Sequence, residues 1–267
     1  MTAYYNEFNP FAAAWLRELI KAGHIPAGEV DERDIREVQP DDLRGFTQHH
    51  FFAGIGGWAY AARLAGWPDD RPLFTGSPPC QPFSGAGKQL GVKDDRHLTP
   101  HWLELVRTVR PPFVAGEQVS AAVNKDAWLD DLLDALEAEN YTTGAIVLPA
   151  CSVGAPHIRQ RIFFVGRMGD TTSVGQYRGF EDKTRKQSEM LGEGHEPVYS
   201  EQPVSVNTHE TGWDSPDWIF CRDGKWRAVE SSTFPLANGI PNRVGRLRGY
   251  GNAIVPQVAA EVLKELM

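Results

Sequence analysis

The chain has 267 residues, 41% of them hydrophobic and 23% charged, with a formal net charge of −8. That is enough to bury one main core with an appendage and too little for several large independent domains, and the acidic balance excludes an indiscriminate nucleic-acid coat protein, because phosphate neutralisation needs Lys and Arg. No apolar run reaches the roughly 18 residues of a membrane span, and the opening "MTAYYNEFNP" lacks the basic and apolar regions of a signal peptide, so the expectation is a cytoplasmic protein with no membrane partner.

In chain order, short apolar runs bounded by Gly or Pro read as strands: "HHFFAG", "RPLFTGSPP", "PPFVAGE", "GAIVLPA" and "RIFFVG". Between and after them, helical apolar spacing appears in Leu98, Trp102, Leu105, Val106 and Val109, in Leu129, Leu132, Leu133 and Leu136, and in Val255, Val258, Ala259, Val262 and Leu266. Strands alternating with helices predict an α/β fold built on a mostly parallel sheet. From about residue 167 to 242 the pattern is polar and aperiodic, apart from "DWIFCRDGKWRAVE", which reads as a hairpin turning at Asp223-Gly224. The expected division is a main domain at 1–166, a small irregular insert at 167–243, and a C-terminal segment at 244–267 that returns to the first domain.

The charge is uneven. Residues 222–248 hold six basic side chains (Arg222, Lys225, Arg227, Arg243, Arg246, Arg248) against two acidic ones, Asp223 and Glu230. A basic face on an acidic body suits a protein that clamps a polyanion at one place.

Three cysteines, Cys80, Cys151 and Cys221, stand far apart with no C-x-x-C pair, which supports neither a disulfide framework nor a zinc ribbon. His97 and His101, four apart, lack any neighbouring ligand motif and read as surface or packing residues, so no metal is expected. Cys80 lies in "GSPPCQPFSGAG", between prolines and ahead of small flexible residues, a poor place for a core-filling thiol and a good one for a nucleophile. "PPFVAGEQV" offers Glu117 at the end of the next strand as an acid or base partner. "FFAGIGGWAYAARLAG" is a strand, a glycine-rich turn and a helix; such a turn either admits a nucleotide-like ligand or simply packs.

Together these residues resemble the DNA (cytosine-5) methyltransferases. "FAGIGG" resembles the cofactor-binding motif, "PPCQPFSGAGKQLG" the catalytic motif, "GEQV" the Glu-Asn-Val motif, "PHIRQRIFFVG" the Gln-x-Arg-x-Arg motif and "GYGNAIVPQVA" the C-terminal Gly-Asn motif. The resemblance implies a Rossmann-like fold that binds S-adenosylmethionine and methylates double-stranded DNA at C5 of a flipped-out cytosine. It makes 1–166 a catalytic and cofactor-binding domain and 167–243 a target recognition domain, and implies a prokaryotic or phage setting of the restriction-modification kind and a monomer. By the same resemblance Cys80 would add to cytosine C6, Glu117 would hold and protonate N3, Arg161 would bind O2 and Arg159 would support the pocket; Phe52, Gly54, Ile55, Gly56, Gly57 and Asn252 would line the cofactor. Two positions depart from the family pattern, Gln118 where Asn is usual and His157 where Gln is usual.

A nucleotide-binding sheet places an acid for the ribose about 20 residues beyond its glycine turn, and here that distance already reaches the catalytic segment. The missing elements resemble residues upstream: "YYNEFNPFAAAWLRELI", a strand, an Asn-Glu pair, an aromatic residue and a helix, then "ERDIREVQPDDL". A local permutation of strand order is therefore expected, with Glu7 on the ribose, Phe8 on the adenine and Asp34 on the adenine amine. On this reading the passage from the glycine-turn helix into "LFTGSPPC" is an ordinary crossover and only the link near 36–47 is new. The alternative is that residues 1–45 form an unrelated helical extension. Rival functions are a non-catalytic DNA-binding module, an RNA-modifying enzyme of the same fold, and a nicotinamide-linked oxidoreductase.

Overall fold

The structure, a computed structural model, describes residues 2–78, 98–120, 128–155, 157–169, 217–220, 224, 226–229 and 253–267. Nine strands are defined: β1 (Ala3–Asn6), β2 (Gly28–Asp31), β3 (Gln48–Phe51), β4 (Leu73–Gly76), β5 (Phe113–Val119), β6 (Tyr141–Leu148), β7 (Arg161–Met168), β8 (Asp217–Phe220) and β9 (Trp226–Val229). Five α-helices accompany them: α1 (Pro10–Lys21), α2 (Gly57–Ala65), α3 (Thr99–Val109), α4 (Trp128–Ala138) and α5 (Pro256–Lys264). Strands β1 to β7 form one sheet in the order β2-β1-β3-β4-β5-β7-β6. The pairs from β2 to β5 are parallel, and β7 runs antiparallel to both β5 and β6. The mostly parallel α/β sheet expected from the sequence is present.

The first 45 residues are part of the sheet and not an extension. β1 pairs with β2 on one side and with β3, the glycine-turn strand, on the other, and Phe51 at the end of β3 lies opposite Asn6. Asn9 caps α1, its side chain accepting from the backbone N–H groups of Phe11 and Ala12, and Pro10 supplies the first helical residue. Two short 3₁₀ turns, Ile35–Glu37 and Pro40–Leu43, make the link from β2 to β3. The glycine-turn strand therefore follows β1 and β2 in sequence while lying between that pair and β4, as the permutation requires.

One expectation needs correction. Alternate residues of each strand serve the two faces: Ala3 and Tyr5 of β1 pack with α1 and with Ala59 of α2, whereas Tyr4 packs on the opposite face with Phe74 and α3. Likewise Leu73 of β4 meets α2 and α5, and Phe74 meets Trp102 of α3. Helices α1 and α2 thus share a face, yet β1-α1-β2 moves along the sheet in one direction and β3-α2-β4 in the other. Two parallel crossovers with helices on one face and opposite directions have opposite hands. The β4-α3-β5 crossover, running with β3-α2-β4 but on the other face, shares the hand of β1-α1-β2. Since right-handed crossovers prevail by about 98%, β3-α2-β4 is the left-handed one and is not ordinary. The reason is that α2 keeps its packing face, fixed by the turn after β3, while its exit strand lies on the other side of β3 from the one an unpermuted chain would enter.

Ile254 and, from the C-terminal helix, Val258, Ala259, Val262 and Leu263 are buried against Trp58, Ala61 and Ala62 of α2. β8 and β9 pair as the anticipated hairpin, with Gly224 at φ +74 in the turn. Asp69 pairs with Arg63 of α2 at 2.7 Å. Arg167 and Met168 complete β7, and of 170–243 only 217–220, 224 and 226–229 are among the described residues.

Candidate functional site

In a parallel sheet ligands gather beyond the carboxyl ends of the strands, above all where strand order reverses. Here that reversal lies between β1 and β3, and both strands deliver polar groups to it. The backbone N–H of Gly54, after β3, donates to Glu7 Oε2, after β1, at 2.7 Å; the N–H of Asn9 donates to Glu7 Oε1 at 2.9 Å. Burial raises the Glu7 carboxyl above its ordinary value, against the opposing pull of those two N–H groups. Phe8 beside it presents its ring to solvent at 69% exposure. Phe52, Gly54 and Gly56 all adopt positive φ, so the chain turns sharply before α2. Ile55 is buried, and Gly54 has no atom closer than 4.0 Å to where a Cβ would sit. A carboxylate, an open aromatic face and a turn left clear at Gly54 suit the ribose and base of a nucleoside. Asp34, in the loop after β2, is engaged by its own neighbour: Arg36 donates to both of its oxygens and holds its carboxyl below the ordinary value.

The second cluster sits at the ends of β5 and β7. Because β7 runs antiparallel to β5, its first residue, Arg161, lies opposite Val119 and on the same face as Glu117, and Arg161 Nε meets Glu117 Oε1 at 2.8 Å. Glu117 is 8% exposed; burial pushes its carboxyl up to about 7, with Arg161 and Arg159 pulling the other way. Arg159, at φ +31, turns its guanidinium so that Nη2 donates to the Ala253 carbonyl at 2.7 Å. The cluster is thereby tied to the residue next to Asn252. Burial, and then the neighbouring Arg161, lower the Arg159 guanidinium. His157 precedes it, half-buried, with its imidazole lowered chiefly by burial.

Cys80 and Asn252 lie outside the described residues, as do the Gly85–Gly91 loop and the arginines at 243, 246 and 248. The approach to Cys80 is described up to Pro78, and two buried groups hold it. Gln118 Nε2 donates to the Pro78 carbonyl at 3.2 Å, while Gln118 Oε1 accepts from the Val119 N–H at 3.0 Å. Gln118, the departure from the family pattern, thus retains an amide function at the base of the catalytic segment. Trp58 Nε1 donates to Ser77 Oγ at 2.9 Å. Sequence reasoning did not single out Trp58 or Ser77; the one visible signal was an indole directly after the glycine pair. Among the described residues no group of three or more His, Cys, Asp or Glu side chains forms a metal site.

The profile described as C-5 cytosine-specific DNA methylase matches residues 67–211, more than half of the chain. The type II methyltransferase M1.ScrFI of Lactococcus lactis subsp. cremoris is 31% identical over 229 residues, covering 73% of this chain and 58% of its own. M.AquIA of Picosynechococcus sp. is 30% identical over 147 residues, covering 51% and 59%, and M.AplI of Arthrospira platensis 32% over 103 residues, covering 38% and 29%. The chain therefore spans less than two thirds of the length of each of these relatives. A crystal structure of Spodoptera frugiperda DNMT2 aligns with a TM-score of 0.40 at 17% identity, over 67% of this chain and 54% of that one. The profile match begins ahead of β4 and runs through Glu117, Arg159 and Arg161. The chain belongs to the C-5 cytosine-specific DNA methylase family.

Proposed function

We propose that the chain is a DNA cytosine-5 methyltransferase using S-adenosylmethionine. The observation that carries this reading is Glu117, buried at the carboxyl end of β5, neutral up to about pH 7 and held by Arg161 with Arg159 beside it. A neutral carboxyl next to a guanidinium is suited to the N3 and O2 edge of a cytosine: Glu117 donates its proton to N3, and Arg161 donates to O2. Both interactions draw electrons from the ring as the Cys80 thiolate forms its bond to C6, leaving C5 electron-rich. S-adenosylmethionine, when bound, supplies the electrophilic methyl group that C5 takes up. Loss of the C5 proton to solvent then expels the Cys80 thiolate, and N3 returns its proton to Glu117, which restores the ring. Because C6 is stacked inside a duplex, the target cytosine has to leave the helix for Cys80 to reach it.

Glu7 would hold the ribose hydroxyls, Phe8 would stack on the adenine, and the Phe52–Gly57 turn with Asn252 would line the remainder of the cofactor. Asp34 would accept from the adenine amine, at the expense of one of its contacts with Arg36. The recognition segment would include the β8–β9 hairpin, where Trp218 and Trp226 are exposed.

The test is incubation with labelled S-adenosylmethionine and either duplex DNA or RNA. Label in DNA supports the reading, and label confined to RNA replaces the substrate. Absence of label, with no covalent trapping on duplexes carrying 5-fluorocytosine, removes the function altogether. Glu7→Ala is expected to weaken S-adenosylmethionine binding roughly 10- to 100-fold by calorimetry, the worth of hydrogen bonds to a charged group.

A further inference from the structure

Trp58 stands one residue past the glycine pair and is 3% exposed, although its indole N–H needs a partner. It finds one in Ser77 Oγ, on the first residue after β4. Its ring meets Phe163 edge-on, with centroids 6.2 Å apart and planes at 79°. Phe163 is the cross-strand partner of Glu117 and lies two residues beyond Arg161. One side chain therefore touches the exit of β4 and the strand that backs the acid, and it is carried by the helix that the glycine turn opens. Gly57 fixes the height of that helix from the other side: a Cβ there would come within 2.7 Å of Ile254 Cγ1. Ser77 and Pro78 are held from two directions, by Trp58 and by Gln118, and each bond is made by a group that is buried and directional.

We infer that Trp58 is a positioning residue: through its hydrogen bond to Ser77 it sets the exit of β4, and with it Cys80, relative to the glycine turn. This rests on the reading of Cys80 as the reacting thiol. It makes the seating of the methyl donor and the aim of the nucleophile properties of one rigid contact, with no contribution from Trp58 to either ligand.

A double-mutant cycle tests it, with Trp58→Phe removing the N–H and keeping the ring on Phe163, and Ser77→Ala removing the acceptor. Two readouts are taken: kcat against KM for methyl transfer, and the rate of Cys80 alkylation by iodoacetamide, located by peptide mapping. Each single variant is expected to lower kcat roughly 10- to 100-fold, the usual cost of misplacing a reacting group, with KM for S-adenosylmethionine and the unfolding midpoint little changed. The double variant is expected to lose no more than either single one, in kcat and in alkylation rate alike, and Ser77→Thr, which keeps the hydroxyl, is expected to restore both. Additive losses, or single variants with unaltered kcat and alkylation, overturn the inference. If the parent chain transfers no methyl group, the proposed function falls, and the alkylation cycle still decides the role of Trp58 by the same criterion.

Discussion

Burial pulls the Glu117 carboxyl toward its neutral form while Arg161 and Arg159 pull it toward the charged one, and burial prevails. Between its ordinary 4.5 and about 7 the folded chain holds a proton that the unfolded chain has lost. The contribution of this group to stability is therefore complete below 4.5 and lost as pH rises to about 7, and Glu117→Gln removes that slope in urea unfolding measured across the window. For the proposed chemistry the sign is the same: the proton for N3 is present below about 7, so kcat/KM for DNA falls on the alkaline side of that value. Glu117→Gln is expected to lower transfer about 10²- to 10⁴-fold and to abolish that limb. Gln118 poses a different problem. Gln118→Leu leaves the Pro78 carbonyl without its donor in a buried setting, at a cost of about 1–3 kcal/mol by chemical denaturation. At this scale the acid, the thiol and the arginines were legible as residue types at motif spacing. The partners of Gln118 and Trp58 were not, because a hydrogen bond between residues 40 or 19 positions apart leaves no periodic trace in sequence.

Among the elements, β4 and β5 carry a close-packing constraint beside the proposed site. Gly76 and Gly116 are register partners, and a Cβ on Gly116 would overlap both the Phe164 ring and the Gly76 carbonyl, while one on Gly76 would overlap the Trp102 indole. The strands approach this closely one residue before Ser77 and one before Glu117, so the small residues let both functional ends be reached without a bulge. Gly116→Ala is expected to cost about 1–3 kcal/mol or more, read as a fall in Tm, because the overlap is with backbone and a packed ring. Gly144→Ala, with only Val165 at an ordinary 3.7 Å, is the control expected to be near neutral. The apolar runs located these strands, since a parallel strand buried on both faces reads as a short continuous apolar stretch. The close approach was not legible: glycine in a strand marks a bulge, a bend or a close neighbour equally well.

Over the whole molecule, the left-handed β3-α2-β4 crossover is the consequence of moving β1 and β2 ahead of the glycine-turn strand while every helix keeps its face. A chain rewired so that residues 2–47 follow α2 and precede β4 makes each crossover right-handed without altering a core contact. Such a chain is expected to bind S-adenosylmethionine with unchanged affinity by calorimetry. A rewired chain that failed to bind would show that the observed strand order is required for the site.

The amino-acid sequence by itself indicated most of the strands and helices and the residue types of the proposed site, because apolar runs, periodicity and residue type are local properties. The resemblance of residues 4–43 to displaced family segments, with no acid about 20 residues past the glycine turn, pointed to β1 and β2 as the moved strands. Only the tertiary structure decided the hand of the α2 crossover, the raised Glu117 carboxyl and the grip of Trp58 and Gln118 on the approach to Cys80. These depend on which face a helix covers, how much water is excluded and which distant groups meet, quantities that exist only once the sheet has closed its neighbours together.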